Sequence, residues 1–325
     1  MKHMRIIYMV LLAPLLALGC TRGGGDGYGA PSGAGEANIL RLEPLVFDGR
    51  SDSSAKAGLE ALGHILGFDA DSGLHEYSES PAVRIFTPDV LAEYPDLAGL
   101  PRSLGGVESG IEGLFPDVHA HEFYTAISPY SQSIYIYADT MVFIALNHYL
   151  GVDYPGYAGR FNEYERQMKT RERIPYDVAE AIIATLKPFE GDSTGVTVAS
   201  RLLYEGALLA SVRTVVPGAD DSLVLGFTPQ QWQWALDHEA EMWKALLGRG
   251  MLYSVSPTDA ARLFSPSPST GVLHRDAPGR MGRFLGLRIV DSYLDNNPGT
   301  TLSQMLSPSF YNDSRTIVKS GYGRR

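Results

Sequence analysis

The chain has 325 residues, 44% of them hydrophobic, with a formal net charge of −10 and a pI near 5.3. That length can bury a substantial core in one large domain or two small ones, and an acidic surface of this kind repels phosphate backbones and argues against nucleic acid as a partner. Cys20 is the sole cysteine, which excludes an intramolecular disulfide and a cysteine-built metal cage.

The first residues place Lys2 and Arg5 ahead of an apolar run from Ile6 to Leu18, which ends at Gly19-Cys20. The run is short for a membrane span and reads as the core of a signal peptide over residues 1–19. Its ending, ALGC, is similar to a bacterial lipobox, although Ala17 stands where that pattern prefers leucine. Cys20 is therefore expected to carry lipid and to anchor the chain; an ordinary cleaved signal peptide is the alternative. Thr21–Asn38 is dominated by Gly, Ser, Ala and Pro, so residues 20–38 read as the lipidated cysteine and a flexible tether. Thr21, rather than an aspartate, follows the cysteine. By resemblance to bacterial sorting rules this does not point to inner-membrane retention, so the expected location is the outer membrane, periplasmic side.

The folded part is expected from Ile39 onward. ILRLEPLVF reads as a short strand or an extended lead-in, and DSSAKAGLEALGHILGF as a helix, with Leu59, Leu62, Ile65 and Leu66 at helical spacing behind the N-cap types Asp52 and Ser53. Three β-rich runs follow, HEFYTAIS, SIYIYAD and MVFIALNHYLG, which together predict a small antiparallel sheet. From Pro175 the chain reads as helices: PYDVAEAIIATLKP, SRLLYEGALLASVRTVVPG, TPQQWQWALDHEAEMWKALLGRG and RMGRFLGLRIVDSYLDNNPG. The third opens with a capping box, Thr228 to Gln231, with Pro229 in its first turn. Trp232 and Trp243, eleven residues apart on this helix, are expected to share its core face, with Trp234 pointing elsewhere. The expectation is one α+β domain over residues 39–325, a small sheet first and a helical remainder second.

No Walker-type or dinucleotide-binding glycine pattern occurs, and GVESG, containing Ser109, misses the spacing of G-x-S-x-G. The residue that stands out is Glu205, a lone acid in the apolar stretch RLLYEGALLASV, followed at once by Gly206. It could be the remnant of a metal site, a catalytic group or half of a buried ion pair. An H-E-x-x-H zinc motif sets two histidines one helical turn apart with a glutamate base between them, and often takes a third ligand from a later helix. HEYSE at His75, HEFYT at His121 and HEAEM at His238 all lack the second histidine. His119 and His121 would share a strand face, as a two-histidine metal site or as a solvated strand edge. On the helix preceding Glu205, VAEAII puts Glu180 where the base would be, with Ala179 and Ile183 in the histidine places; neither can bind zinc. The tyrosines from Tyr124 to Tyr157 are expected to be cross-strand packing partners rather than a binding platform.

ILRLEPLVF, MVFIALNHYLGVDYPGY, RLLYEGALLA, LGFTPQQWQWALDHEAEMW and DAPGRMGRFLGLRIVDSYL resemble the GldB family of gliding-motility lipoproteins, over roughly Ile39 to Gly323. That family is similar, distantly, to predicted zinc proteases. The resemblance implies a zincin-like, degenerate metallopeptidase fold in which Glu180 and Glu205 remain and the positions of Ala179 and Ile183 have lost their histidines. Asn147 stands where an acid is expected before HYLG. The implied function is a non-catalytic, lipid-anchored envelope protein that binds a protein partner or supports assembly of a gliding or secretion apparatus, without a cofactor or metal. The alternatives are an envelope peptidase or other hydrolase, and a binder of soluble ligands in the former active-site cleft. In this reading Glu205 is a buried structural acid paired with Arg280, with His274 as the reserve partner.

Overall fold

The computed structural model describes residues 35–44, 53–69, 74–128, 132–191 and 196–323. Cys20, residues 1–34 and Asp52 lie outside the described residues. The fold is α+β, with one four-stranded sheet and a larger helical part.

The sheet is mixed, not antiparallel. Its strands are β1 (Ile39–Arg41), β2 (Glu122–Ala126), β3 (Ile134–Tyr137) and β4 (Met141–Ala145), in the order β1-β2-β4-β3. The pairs β1/β2 and β2/β4 are parallel, and only β3/β4 is antiparallel. Consecutive β-rich runs suggested antiparallel pairing, but β4 inserts between β2 and β3. Burial explains the choice. Phe123–Ala126 and Val142–Ala145 are buried without alternation, as in strands covered on both faces, whereas edge strand β3 is half-buried along its length. Tyr124 and Phe143 are register partners with ring centroids 4.9 Å apart, so these aromatics do pack across strands.

Helices flank the strands in sequence, which corrects the expected sheet-then-helices order. Helix α1 (Ser53–Leu66) follows β1, and α2 (Pro81–Glu93) and α3 (Leu100–Leu114) both precede β2. In α2 an internal Pro88 masked the helical pattern. In α3 the buried stripe Leu100, Leu104, Val107 and Ile111 has helical spacing but is interleaved with glycines. The run expected as the third strand is β only as far as Ala145; Leu146–His148 is a 3-10 turn. Buried Asn147 there exchanges amide bonds with Ser128, accepting from its N–H at 3.1 Å and donating to its carbonyl at 2.9 Å, so it ties two loops together.

Helix α4 (Ile174–Leu186) packs on β3 and β4, and α5 (Val198–Val215) runs through the middle of the helical part with nearly every residue buried. Thr197 caps α5, its hydroxyl accepting the Ser200 N–H at 3.0 Å. The expected Thr228–Gln231 capping box is present, but the helix it opens breaks at His238 into α6 (Pro229–Asp237) and α7 (Glu239–Gly248). Trp232 and Trp243 consequently do not share a face: Trp232 meets Phe284 edge-on at 5.6 Å, and Trp243 meets Tyr322 at 5.1 Å. After α8 (Pro257–Phe264), helix α9 (Met281–Asn296) lies along α5 in the most extensive helix pair of the molecule. The two backbones touch where Gly206 faces Gly286; a Cβ on either would overlap a carbonyl of the other helix. This crossing sets α5 and α9 at the depth that the site requires. Among the described residues no helix is long and apolar enough to cross a membrane.

Candidate functional site

One cleft of about 660 Å³ opens between the edge of β3, the segment 161–169, helices α4, α5 and α9, and the loop after α8. Its helix face is defined by α4, which turns Asp177, Glu180, Ala181 and Ala184 toward it. That is the i, i+3, i+4, i+7 stripe of one helix side. Ala179 and Ile183 are not on that stripe; both are fully buried in the core. Of the three VAEAII positions set against a zinc motif, Glu180 faces the cleft and Ala179 and Ile183 do not.

Glu205 also lines the cleft, and its partner is not Arg280. Its two carboxylate oxygens meet Arg201 at 2.6 Å, one turn back on α5, and Arg283 at 3.0 Å, across on α9. Arg283 reaches Glu180 as well, at 2.7 Å, so one buried guanidinium bridges the acids of two helices. Burial pushes the Glu180 carboxyl up, but Arg283, Arg173 and Arg280 more than offset it and hold the group below its ordinary value. The same two acids keep Arg283 charged against its own desolvation. His274, the reserve partner, lies elsewhere, 4.0 Å from Glu241.

Arg280 went to a different task because of its backbone. It is the residue before α9 and has a left-handed conformation, φ 62°, so it does not continue the helical face that carries Arg283. Its Nη2 donates to the carbonyls of Leu225 at 3.0 Å and Gly226 at 3.4 Å, and rests on the Met168 sulfur at 3.0 Å. Burial and the neighbouring Arg283 and Arg173 lower its pKa to about 10.

The remaining charges were not anticipated from the sequence. Arg173 pairs with Asp177 one turn on and donates to the Leu223 carbonyl. Asp177 also accepts from Tyr149 at 2.8 Å. Lys169 sets its ammonium 3.0 Å from His148 Nδ1 and 3.8 Å from the centre of the Phe161 ring. Burial lowers its pKa to about 8, against the opposing fields of Asp177 and Glu165. The one sequence signal for this group was Arg173 four residues ahead of Asp177 at a helix start, the spacing of an intrahelical ion pair.

His119 and His121 do not share a strand face. β2 begins only at Glu122; His121 is buried with Nδ1 2.9 Å from Glu108, while His119 is exposed. Among the described residues no group of three His, Cys, Asp or Glu side chains is arranged to hold a metal ion.

Over residues 62–323 the chain matches the family described as gliding motility protein GldB, and it belongs to that family. No curated protein and no solved structure matches it. The family assigns the chain to gliding motility, and the two-helix acid cluster joined by Arg283 is the feature of the cleft that bears on chemistry.

Proposed function

We propose that this GldB-family chain is a non-catalytic, lipid-anchored protein of the cell envelope that supports a gliding or secretion apparatus by binding a protein partner. The observation that carries the non-catalytic part is Arg283 standing between Glu180 and Glu205. A carboxylate gripped by a guanidinium has its lone pairs engaged and is a poor general base, and Arg283 grips both acids of the cleft floor. In this reading the helix pair descends from a zincin-like peptidase, with an arginine in place of the working site. The lipid on Cys20 places the globule at the outer membrane, and residues 20–38 give it reach. Neither a cofactor nor a metal takes part.

Replacing Glu180 by Gln tests this directly. The amide keeps the shape and can still accept from Arg283, and Glu205 still neutralises that guanidinium. Cells carrying Glu180→Gln should glide or secrete as the parent does, while Cys20→Ala should release the protein from the membrane fraction and weaken the process. A null phenotype for a folded, membrane-bound Glu180→Gln, together with peptide hydrolysis by the parent protein that the variant lacks, would establish the hydrolase alternative instead.

A further inference from the structure

Four cations, Lys169, Arg173, Arg280 and Arg283, and four acids, Glu165, Asp177, Glu180 and Glu205, line the cleft, but the acids are not shared out one to each cation. Arg173 is matched by Asp177, and Arg283 with Arg201 by Glu180 and Glu205. Glu165, at the rim, is engaged at the start of its own short helix, accepting from the Asn162 backbone and side-chain amides at 2.8 and 2.9 Å. Among the described residues neither Arg280 nor Lys169 makes an ion pair with a carboxylate, and both line the cleft. Arg280 is nine-tenths buried, and its hydrogen bonds all come from Nη2, so among the described residues Nε and Nη1 have no acceptor. Its Nη2 touches Met168, the residue before Lys169 in the chain, while the Lys169 ammonium lies at His148 and over the Phe161 ring. Isolated buried cations are costly unless something answers them.

The geometry points to an organic oxyanion as the ligand of this cleft, its carboxylate or phosphate group held by Arg280 and Lys169 and its apolar body laid against Phe161, Phe227 and Phe264. A guanidinium edge and an ammonium together supply the planar and the point-like donors that such a group accepts. A volume of about 660 Å³ with aromatic walls takes a small organic molecule rather than a bare ion. The inference goes beyond the partner-binding reading and does not depend on it, because it is tested on the isolated protein.

The test is calorimetric titration of the purified full chain at pH 7 with butanoate, butyl phosphate and, as the neutral control, butanol. Saturable one-to-one binding of butanoate or butyl phosphate, with none of butanol, is expected, and the stronger of the two anions identifies the headgroup. Arg280→Met and Lys169→Met should each weaken binding at least tenfold, while Arg275→Met, an exposed arginine outside the cleft, leaves it unchanged. Because Arg280→Met could unsettle the fold, a second readout uses the parent chain: the bound anion should protect Lys169 from acetylation, followed by mass spectrometry. No saturable binding of either anion, equal binding of butanol, undiminished binding by Lys169→Met, or a parent Lys169 that the bound anion leaves open to acetylation would overturn the inference.

Discussion

Arg280 and Arg283 lie three residues apart at one helix start, and their surroundings answer them differently. Arg283, one turn into α9, closes on two carboxylates. Arg280, outside the helix in a left-handed conformation, is held by carbonyls and a thioether and retains its charge toward the cleft. The first arrangement is a lock between helices; the second is a socket. The difference shows that charge in a cleft has to be read by what neutralises it, since residue type is the same in both places.

Breaking the lock should have the largest effect. Arg283→Met leaves Glu180 without its partner and Glu205 with only the half-exposed Arg201, and should cost about 3–5 kcal/mol in denaturant unfolding. Arg280→Met removes no partner from a carboxylate and should cost clearly less. Equal losses would erase the distinction between lock and socket.

A smaller effect reaches the lock indirectly. Gly206→Ala adds a methyl group where α5 meets the Gly286 carbonyl of α9, and so separates the helices that bring Glu205 to Arg283. Overpacking of this kind should cost about 1–3 kcal/mol, and Ala at the exposed Gly248, at the end of α7, should cost nothing comparable.

The smallest effects separate the two halves by pH. Glu180 has a lowered folded pKa, so its stabilising contribution is complete above its unfolded value near 4.5 and is lost as pH falls through the lower folded value. Lys169 behaves oppositely. Its folded pKa of about 8 lies below the unfolded 10.5, so the unfolded chain binds more protons between those values and stability rises with pH across that window. Lys169→Met should therefore be more stable than the parent at pH 7, with the difference shrinking between pH 8 and 10.5. A difference that is flat with pH would mean that Lys169 is not burdened by burial.

Much of this was legible in the sequence. The apolar surroundings of Glu205 require a cation, and APGRMGRF is where one comes from. Which arginine it is was not legible, because the answer depends on where α9 starts and on the left-handed turn at Arg280, a conformation that sequence periodicity does not reveal. The capping box at Thr228 was legible because its chemistry is local; the break ten residues later at His238, and with it the separation of Trp232 from Trp243, was not. Parallel pairing of β1 with β2 joins segments some eighty residues apart, beyond the reach of any local pattern. The cleft cations Lys169 and Arg173 come together through tertiary packing, and the sequence showed only the spacing of Arg173 to Asp177.

The central claim is that Glu205 is a structural acid held by Arg283. A double-mutant cycle measures it directly, with unfolding free energies of the parent, Glu205→Gln, Arg283→Met and the combined variant. The account expects the two losses to be non-additive, with a coupling of at least about 1 kcal/mol, as for residues in one ion-pair network. Losses that add to within about 0.5 kcal/mol would show that the two side chains do not depend on each other, and would contradict it.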